Sequence, residues 1–141
     1  MNYGRLTVAA IVAAIVDMVY GYPVYGLMLS GEFARYPGIF RPMEAVNGNL
    51  PIMFAGTLLA MFAATFIYVK GYEGGNGIHE GTRFGALIGL FGVGYIAVGN
   101  YAVMNIGRRL TAEMALAGLA EWIVVGAVIG AVYRPTGAGQ R

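Results

Sequence analysis

The 141-residue sequence has no cysteine, a single histidine and few charged residues. Without cysteine there are no disulfide bonds, thiolate metal ligands or thiol nucleophiles. With His79 as the single imidazole, a multi-histidine metal or haem site within one chain is not expected. Charged residues make up 11% of the chain, against about 25% in a typical soluble domain. So few charges do not cover a soluble surface, and here they lie between long apolar runs.

Long apolar runs are the dominant feature of the chain, which is 58% hydrophobic with a mean hydropathy of +0.66. A helix needs about 20 residues to cross about 30 Å of hydrocarbon. Four segments meet that requirement: 6–29, 50–69, 82–104 and 111–133. Helices are expected because lipid offers no hydrogen-bond partner to an open backbone. The sequence predicts an all-α fold, an integral membrane four-helix bundle in one domain (1–141), with a disordered tail at 135–141.

The charges also bear on location. The first apolar run is longer than the roughly 7–15 residues of a signal-peptide core and is interrupted by Asp17, so it is interpreted as a membrane helix. Four crossings place both termini on one side, which carries five basic residues against four on the other. That difference favours a multi-pass protein of the cytoplasmic (inner) membrane with cytoplasmic termini. The net charge of +2 is small and scattered, and does not indicate nucleic-acid binding.

Glycine is abundant, at 23 residues, and part of it follows helical spacing. In the fourth segment Gly126 and Gly130 form a GxxxG pair. In lipid, small residues allow helix backbones to approach and pack. A helix face lined by such glycines serves either packing within the bundle or docking of another chain, pigment, lipid or quinone. Trp122, Gly126 and Gly130 lie roughly opposite Glu121, which predicts one face for the bundle and one for a partner. The stripe in the third segment comprises Gly81, Gly85, Gly89, Gly92 and Gly99.

Two acids lie near the centre of the membrane, Asp17 in the first segment and Glu121 in the fourth. An acid at this depth costs about 2.5–3.5 kcal/mol on insertion scales, so each is expected to face protein or a cavity. No basic residue lies at either depth, and Tyr20 and Asn100 are candidate hydrogen-bond partners. The pattern favours two neutral acids that join helices by hydrogen bonds. A proton or cation relay, and a role in binding an outside ligand, are the alternatives.

Four charged residues flank the turn between the second and third segments. Lys70 and Glu73 close one helix, while Glu80 and Arg83 stand three residues apart at the start of the next, where a carboxylate suits the positive helix end. Together they predict an ion-paired clamp at the membrane surface. A phosphate or lipid-headgroup site is the alternative.

Three stretches of the sequence resemble the motifs of a known protein family. Residues 68–89 read YVKGYEGGNGIHEGTRFGALIG, Phe40-Arg41-Pro42 lies in the first loop, and 118–121 (GLAE) precedes 133–135 (YRP). Together they resemble a family of small four-helix bacterial membrane proteins of unassigned function, through the motif KGYEG…EGxRFG. The resemblance implies the four-helix architecture and no activity, and it marks Lys70, Glu73, Glu80, Arg83 and Glu121. Asn76 and His79 lengthen the turn relative to that pattern.

Function is open among three classes. The favoured hypothesis is a non-enzymatic membrane subunit that packs through its glycine faces against partners, in an energy-transducing or photosynthetic complex. The alternatives are a small proton- or cation-coupled transporter that uses the midplane carboxyls, and an enzyme acting on a lipid or isoprenoid. The enzyme hypothesis is the weakest, because the sequence shows no nucleophile–base pair. Membrane lipids and either other membrane subunits or further copies of this chain are the expected partners. No motif specifies a cofactor, which leaves a bound lipid or pigment open.

Overall fold

A computed structural model describes residues 1–133, and all regular secondary structure within them is helical. Four helices are long and apolar enough to cross a membrane, which confirms the predicted all-α four-helix class and makes this a multi-pass membrane protein. They are α1 (Tyr3–Met28), α2 (Leu50–Gly71), α3 (Gly77–Val103) and α4 (Arg108–Val132). Two short helices, Ser30–Phe33 and Met43–Gly48, lie in the first loop. The predicted tail at 135–141 lies outside the described residues.

Helix starts account for the main differences from the predicted bounds. α1 begins at Tyr3 because the Asn2 side chain accepts a hydrogen bond from the Arg5 backbone N–H at 3.0 Å. α3 begins at Gly77 rather than at residue 82. There the side chain of Asn76 accepts from the N–H groups of the second and third helical residues, which leaves fewer unpaired donors at the helix end.

Both α1 and α3 contain a π-helical stretch. In α1 it runs over Tyr22–Met28, and the Leu29 N–H donates to the Val24 carbonyl five residues earlier. Pro23 at its start has no N–H to donate and its ring crowds the carbonyl four residues before it, so the regular α pattern ends there. In α3 the stretch is Val93–Val98, followed by a last α-helical turn at Gly99–Val103.

The helices pack in the order α2, α1, α4, α3, so α1 and α4 form the centre. α1 meets its neighbours through Ala9, Ala10, Ala13 and Ala14, all of which are completely buried. From the other helices, Met61 and Tyr68 of α2 and Val125 and Ile129 of α4 complete the core. α2 and α3 meet near their short connection, where the Tyr68 and Phe84 rings lie 5.5 Å apart. The two ends of the described chain lie together, since the Asn2 N–H donates to the Tyr133 hydroxyl at 3.3 Å.

The most intimate helix contact is between α3 and α4, and glycine makes it. A Cβ atom added to Gly81 would collide with the carbonyl oxygen of Gly126, and one added to Gly130 would collide with that of Gly77. A Cβ on Gly85 would meet the carbonyl oxygen of Trp122. The two backbones therefore touch directly, which is the way small residues drive association where lipid removes most of the hydrophobic drive between helices.

The expectation that Gly126 and Gly130 face an outside partner is wrong, because both lie against α3. α4 does use two opposite faces, but both neighbours belong to the same chain. Gly85 and Gly89 contact α4 as a packing stripe predicts, whereas no atom lies within 4 Å of the Cβ position of Gly92. Gly92 lies about 60° away from Gly89 around the helix axis, and the change to π geometry begins one residue later.

This contact predicts different effects for two glycines of α3. Gly85→Leu should lower the free energy of unfolding by about 2 kcal/mol or more, the scale of overpacking in a close contact. The added side chain would have to push the Trp122 backbone away. Gly92→Leu should change stability by less than about 0.5 kcal/mol. Unfolding in mixed micelles, followed by the fluorescence of Trp122, measures both, and equal stability of the two variants would contradict the close contact.

Candidate functional site

The two midplane acids face the interior of the helix assembly. Each is partly buried, and the helices that carry them, α1 and α4, pack against each other. Glu121 Oε2 accepts a hydrogen bond from the Tyr25 hydroxyl at 3.0 Å, and Asp17 Oδ2 accepts one from the Thr57 hydroxyl at 3.5 Å. Ion pairs within residues 1–133 involve other acids, so hydroxyl groups are the hydrogen-bond donors to both carboxyls. We call Asp17, Tyr25, Thr57 and Glu121 the midplane cluster.

The π-helical stretch explains how Tyr25 reaches Glu121. Tyr20 and Tyr25 both donate to α4, to groups one turn apart: the Ala117 carbonyl at 2.9 Å and the Glu121 carboxyl. In a regular α-helix, a five-residue spacing would point the two side chains about 140° apart. A π turn holds an additional residue, so both tyrosines come to face the same neighbour.

Two predicted partners of the acids are placed elsewhere. Tyr20 hydrogen-bonds the Ala117 carbonyl rather than Asp17, three residues away on its own helix. Asn100 lies in the last α-helical turn of α3, and within residues 1–133 no hydrogen bond joins its side chain to either acid. The packing order keeps Asn100 from Asp17, because α4 lies between α3 and α1, and Glu121 of α4 is hydrogen-bonded to α1 instead.

A cavity of about 490 Å³ adjoins the midplane cluster. It lies between the π-helical half of α1, the first loop and the start of α2, and we call it the α1–α2 cavity. Its walls are mainly apolar and include the Phe33–Phe40 pair, whose ring centroids are 4.8 Å apart. Tyr25 and Gly21 form part of the wall, and the Cβ position of Gly21 lies 3.8 Å from Glu121 Oε1. Glu121 is therefore directly behind the cavity wall.

The cavity also has a polar side formed by the first loop. Ser30, Arg41 and Asn47 line it there. Arg41 is exposed, and within residues 1–133 it makes no ion pair and no hydrogen bond. The cavity therefore combines an apolar interior with one uncompensated guanidinium.

The predicted clamp forms in part. Arg83 pairs with Glu73 at 3.6 Å, while Glu80 accepts hydrogen bonds from the backbone N–H groups of Glu73 at 3.0 Å and Gly75 at 2.5 Å. Between them Gly74 has φ +93°, a conformation that favours glycine. Lys70 takes no part, since its Nζ lies 5.6 Å from the centre of the Phe66 ring.

This arrangement gives the KGYEG…EGxRFG motif a structural role. Glu80 holds the turn closed, and the Tyr68 hydroxyl donates to the Gly77 carbonyl at 3.1 Å. The small cavity beside it, about 160 Å³, is lined by two carboxylates, Glu73 and Glu80, and one guanidinium, that of Arg83. That charge balance disfavours the alternative of a phosphate site at this surface.

Two functional candidates could not be identified from the sequence: Tyr25 and Thr57. Tyr25 belongs to the sequence YGYPVYG, where interfacial anchoring is the ordinary interpretation. Pro23 beside it was the available signal, because it ends the regular α pattern. Thr57 is one of several threonines in apolar helices, and nothing in the sequence connects it to Asp17.

Neither a metal centre nor a related protein defines the site. No group of three or more metal-ligating side chains occurs within residues 1–133. No protein-family model, no curated protein and no solved structure matches the chain. Membership of the four-helix family therefore stays a prediction from the sequence motif.

The turn predicts a local effect for Glu80. Glu80→Ala should expose the amide hydrogens of Glu73 and Gly75 and speed their exchange with solvent tenfold or more, because hydrogen bonds to a charged group contribute about 1.5–3 kcal/mol. Glu44→Ala, at an acid in a short helix of the first loop, is the control. Residue-resolved hydrogen exchange measures both, and unchanged protection in Glu80→Ala would contradict the capping role.

Proposed function

We propose that this protein is a non-enzymatic membrane protein that binds a single-chain amphiphile in the α1–α2 cavity. The observation that carries the proposal is an apolar cavity of about 490 Å³ with Arg41 at its polar side. Ligand sites in proteins are mostly apolar clefts of about 300–1,000 Å³ with a few placed polar groups. A fatty acyl or prenyl chain fits such an interior.

Charge complementarity selects the head of the ligand. Arg41 has no acidic partner within the described residues, and its guanidinium offers five donors that suit a carboxylate or phosphate. Asn47 lines the same cavity and adds a side-chain amide donor, whereas the Ser30 hydroxyl donates to the Leu27 carbonyl at 2.9 Å. An anionic head at the loop and an apolar chain between α1 and α2 is the arrangement that satisfies these groups.

The favoured expectation from sequence, a subunit docking through glycine faces, loses its main support. Gly85, Gly89, Gly126 and Gly130 contact each other's helices within the chain, so an outside partner would need another surface. We assign the protein to the cytoplasmic membrane with cytoplasmic termini on the basis of the charge distribution.

Proton- or cation-coupled transport is the second candidate, and the midplane cluster favours it. Intramembrane acids mark proton and ion pathways in many transporters. Here Tyr25 forms part of the wall of the α1–α2 cavity, and its hydroxyl donates to Glu121. A molecule bound in the cavity would therefore lie on one side of the Tyr25 side chain, and the Glu121 carboxyl lies on the other.

Filling the cavity tests the binding function. Gly26 lines the cavity, and a Cβ there makes ordinary contacts, the nearest 3.6 Å from Tyr22. Gly26→Leu should therefore fold and should bind palmitate at least tenfold more weakly in a detergent-solution titration. Gly56→Leu is the matched control, since nothing lies within 4 Å of that Cβ position and the residue is outside the cavity. Equal palmitate binding by parent and Gly26→Leu would contradict the proposal.

The contact between Arg41 and the anionic head of the ligand is tested separately. Arg41→Gln should weaken binding of palmitate about tenfold, the scale of one charge-assisted hydrogen bond, and should leave binding of the uncharged fatty alcohol of equal length unchanged. Lys70→Gln, at an exposed cation near the opposite end of the helices, is the control. A uniform loss for acid and alcohol would assign Arg41 a structural role.

Conservative amides separate the two candidate functions. Asp17→Asn and Glu121→Gln keep hydrogen-bond acceptors for Thr57 and Tyr25 but have no exchangeable carboxyl proton. Membrane hydrogen bonds average about 0.6 kcal/mol, so both variants should fold and bind palmitate nearly as the parent does. Proton uptake into vesicles, measured in parallel, is expected to be the same in all three proteins. Uptake by the parent that both amides abolish would establish transport instead.

A further inference from the structure

A second cavity lies on the other side of α1 and has a different chemistry. It occupies about 620 Å³ between α1, α4 and the first loop, and it shares no lining residue with the α1–α2 cavity. We call it the α1–α4 cavity. Its apolar wall includes Val24, Met28 and Leu116, and its outer part carries Glu32, Arg35, Arg109 and Glu113.

The four charged residues form one chain of ion pairs. Glu32 contacts both Arg35 and Arg109 at 3.4 Å, and Arg109 Nε donates to Glu113 at 2.9 Å. Glu32 thus holds two guanidiniums at one point, each by a single ion-pair contact. A guanidinium has five donors, so most of the hydrogen-bonding capacity of Arg35 remains open.

Exposure decides which charge an incoming molecule meets. The side chains of Arg35 and Arg109 are 63% and 70% exposed, whereas those of Glu32 and Glu113 are 13% and 29% exposed. The acids lie underneath and the guanidiniums lie on the surface. The network is neutral in sum, but the side that faces a ligand is cationic.

A lipid site needs an apolar groove for the acyl chain in addition to a cationic surface for the headgroup, and the depth of this cavity supplies the groove. It extends along α4 from Arg109 to Ala117, which is eight residues or about 12 Å of helix. Arg109 is near the start of the membrane-spanning helix, where the headgroup region is expected, and Ala117 is eight residues further along it, where hydrocarbon is expected. The charged groups are therefore at the outer end of an apolar groove that leads into the membrane.

We propose that the α1–α4 cavity is a phospholipid site in which Arg35 and Arg109 bind the headgroup phosphate and one acyl chain lies between α1 and α4. Basic pockets between membrane helices bind anionic lipid headgroups by the same chemistry. The site is independent of the α1–α2 cavity, and it lies at the opposite end of the helices from the turn that sequence analysis marked for a headgroup.

The experiment compares three probes on the full-length protein in detergent. Dioleoylphosphatidylglycerol should remain bound in native mass spectra, and dioleoylglycerol, which lacks the phosphate, should bind at least tenfold more weakly. Glycerol phosphate, which lacks the chains, should not displace the phospholipid. Equal binding of the phospholipid and dioleoylglycerol would overturn the phosphate contact, and displacement by glycerol phosphate at similar concentrations would overturn the lipid as occupant.

Variants locate the site. Arg35→Gln and Arg109→Gln should each weaken phosphatidylglycerol binding about tenfold. Arg83→Gln removes a guanidinium of similar exposure, 64%, paired with Glu73, and it should bind as the parent does. Leu116→Trp narrows the groove without touching a charge, so it keeps the proposal testable if an arginine variant does not fold. Parental binding by Arg35→Gln, Arg109→Gln and Leu116→Trp would refute the site, whereas Gly26→Leu should leave it intact.

Discussion

Direct contact between the backbones of α3 and α4 sets the position of everything else. Gly77, Gly81 and Gly85 meet Gly126, Gly130 and the Trp122 carbonyl so closely that no side chain fits between them. That contact fixes which face of α4 is turned toward α3. Because Glu121 lies on roughly the opposite face, it is turned toward α1, where the Tyr25 hydroxyl reaches it. An acid in the middle of a membrane helix is tolerated here because a glycine contact on one side directs it to a polar neighbour on the other.

The fold class was predictable from the distribution of apolar residues along the sequence, since four apolar runs of membrane-spanning length leave few alternatives. The glycine stripe was predictable as a packing surface, but its partner was not. A GxxxG pair has the same appearance whether it docks within the chain or outside it, and the choice depends on which helices are neighbours. That order, α2, α1, α4, α3, is a property of the loops and of all contacts together rather than of any one helix.

The candidate site was predictable to a smaller extent. The depth of Asp17 and Glu121 and the absence of a cation at that depth indicated that both face protein. Tyr25 could not be derived as the partner of Glu121, because helical spacing assumes a regular α-helix and α1 is π-helical from Tyr22. Tyr20 was expected to contact Asp17 by its spacing of three, and instead it donates to α4. Cavities leave no mark in a sequence at all, because they arise where side chains fail to fill the space between elements.

Both cavities adjoin the π-helical stretch of α1. Pro23 interrupts the α-helical hydrogen bonds of α1, and the residues after it line both sides of the helix. Tyr25 and Gly26 face the α1–α2 cavity, while Val24 and Met28 face the α1–α4 cavity.

Upstream, α1 is an alanine-rich helix packed tightly between α2 and α4, with several residues completely buried. Downstream of Pro23 no residue through Met28 is fully buried. α1 thus has one half that holds the helices together and another, from Met18 onward, that leaves space beside it. π-Helical segments are common at functional sites. The halves also differ in chemistry: within residues 1–133, Tyr25 carries the one hydrogen bond that joins the wall of either of these two cavities to a midplane acid. A molecule bound beside Tyr25 would therefore contact the one side chain that also fixes Glu121, which is why the binding and the proton-coupled hypotheses converge on the same helix turn.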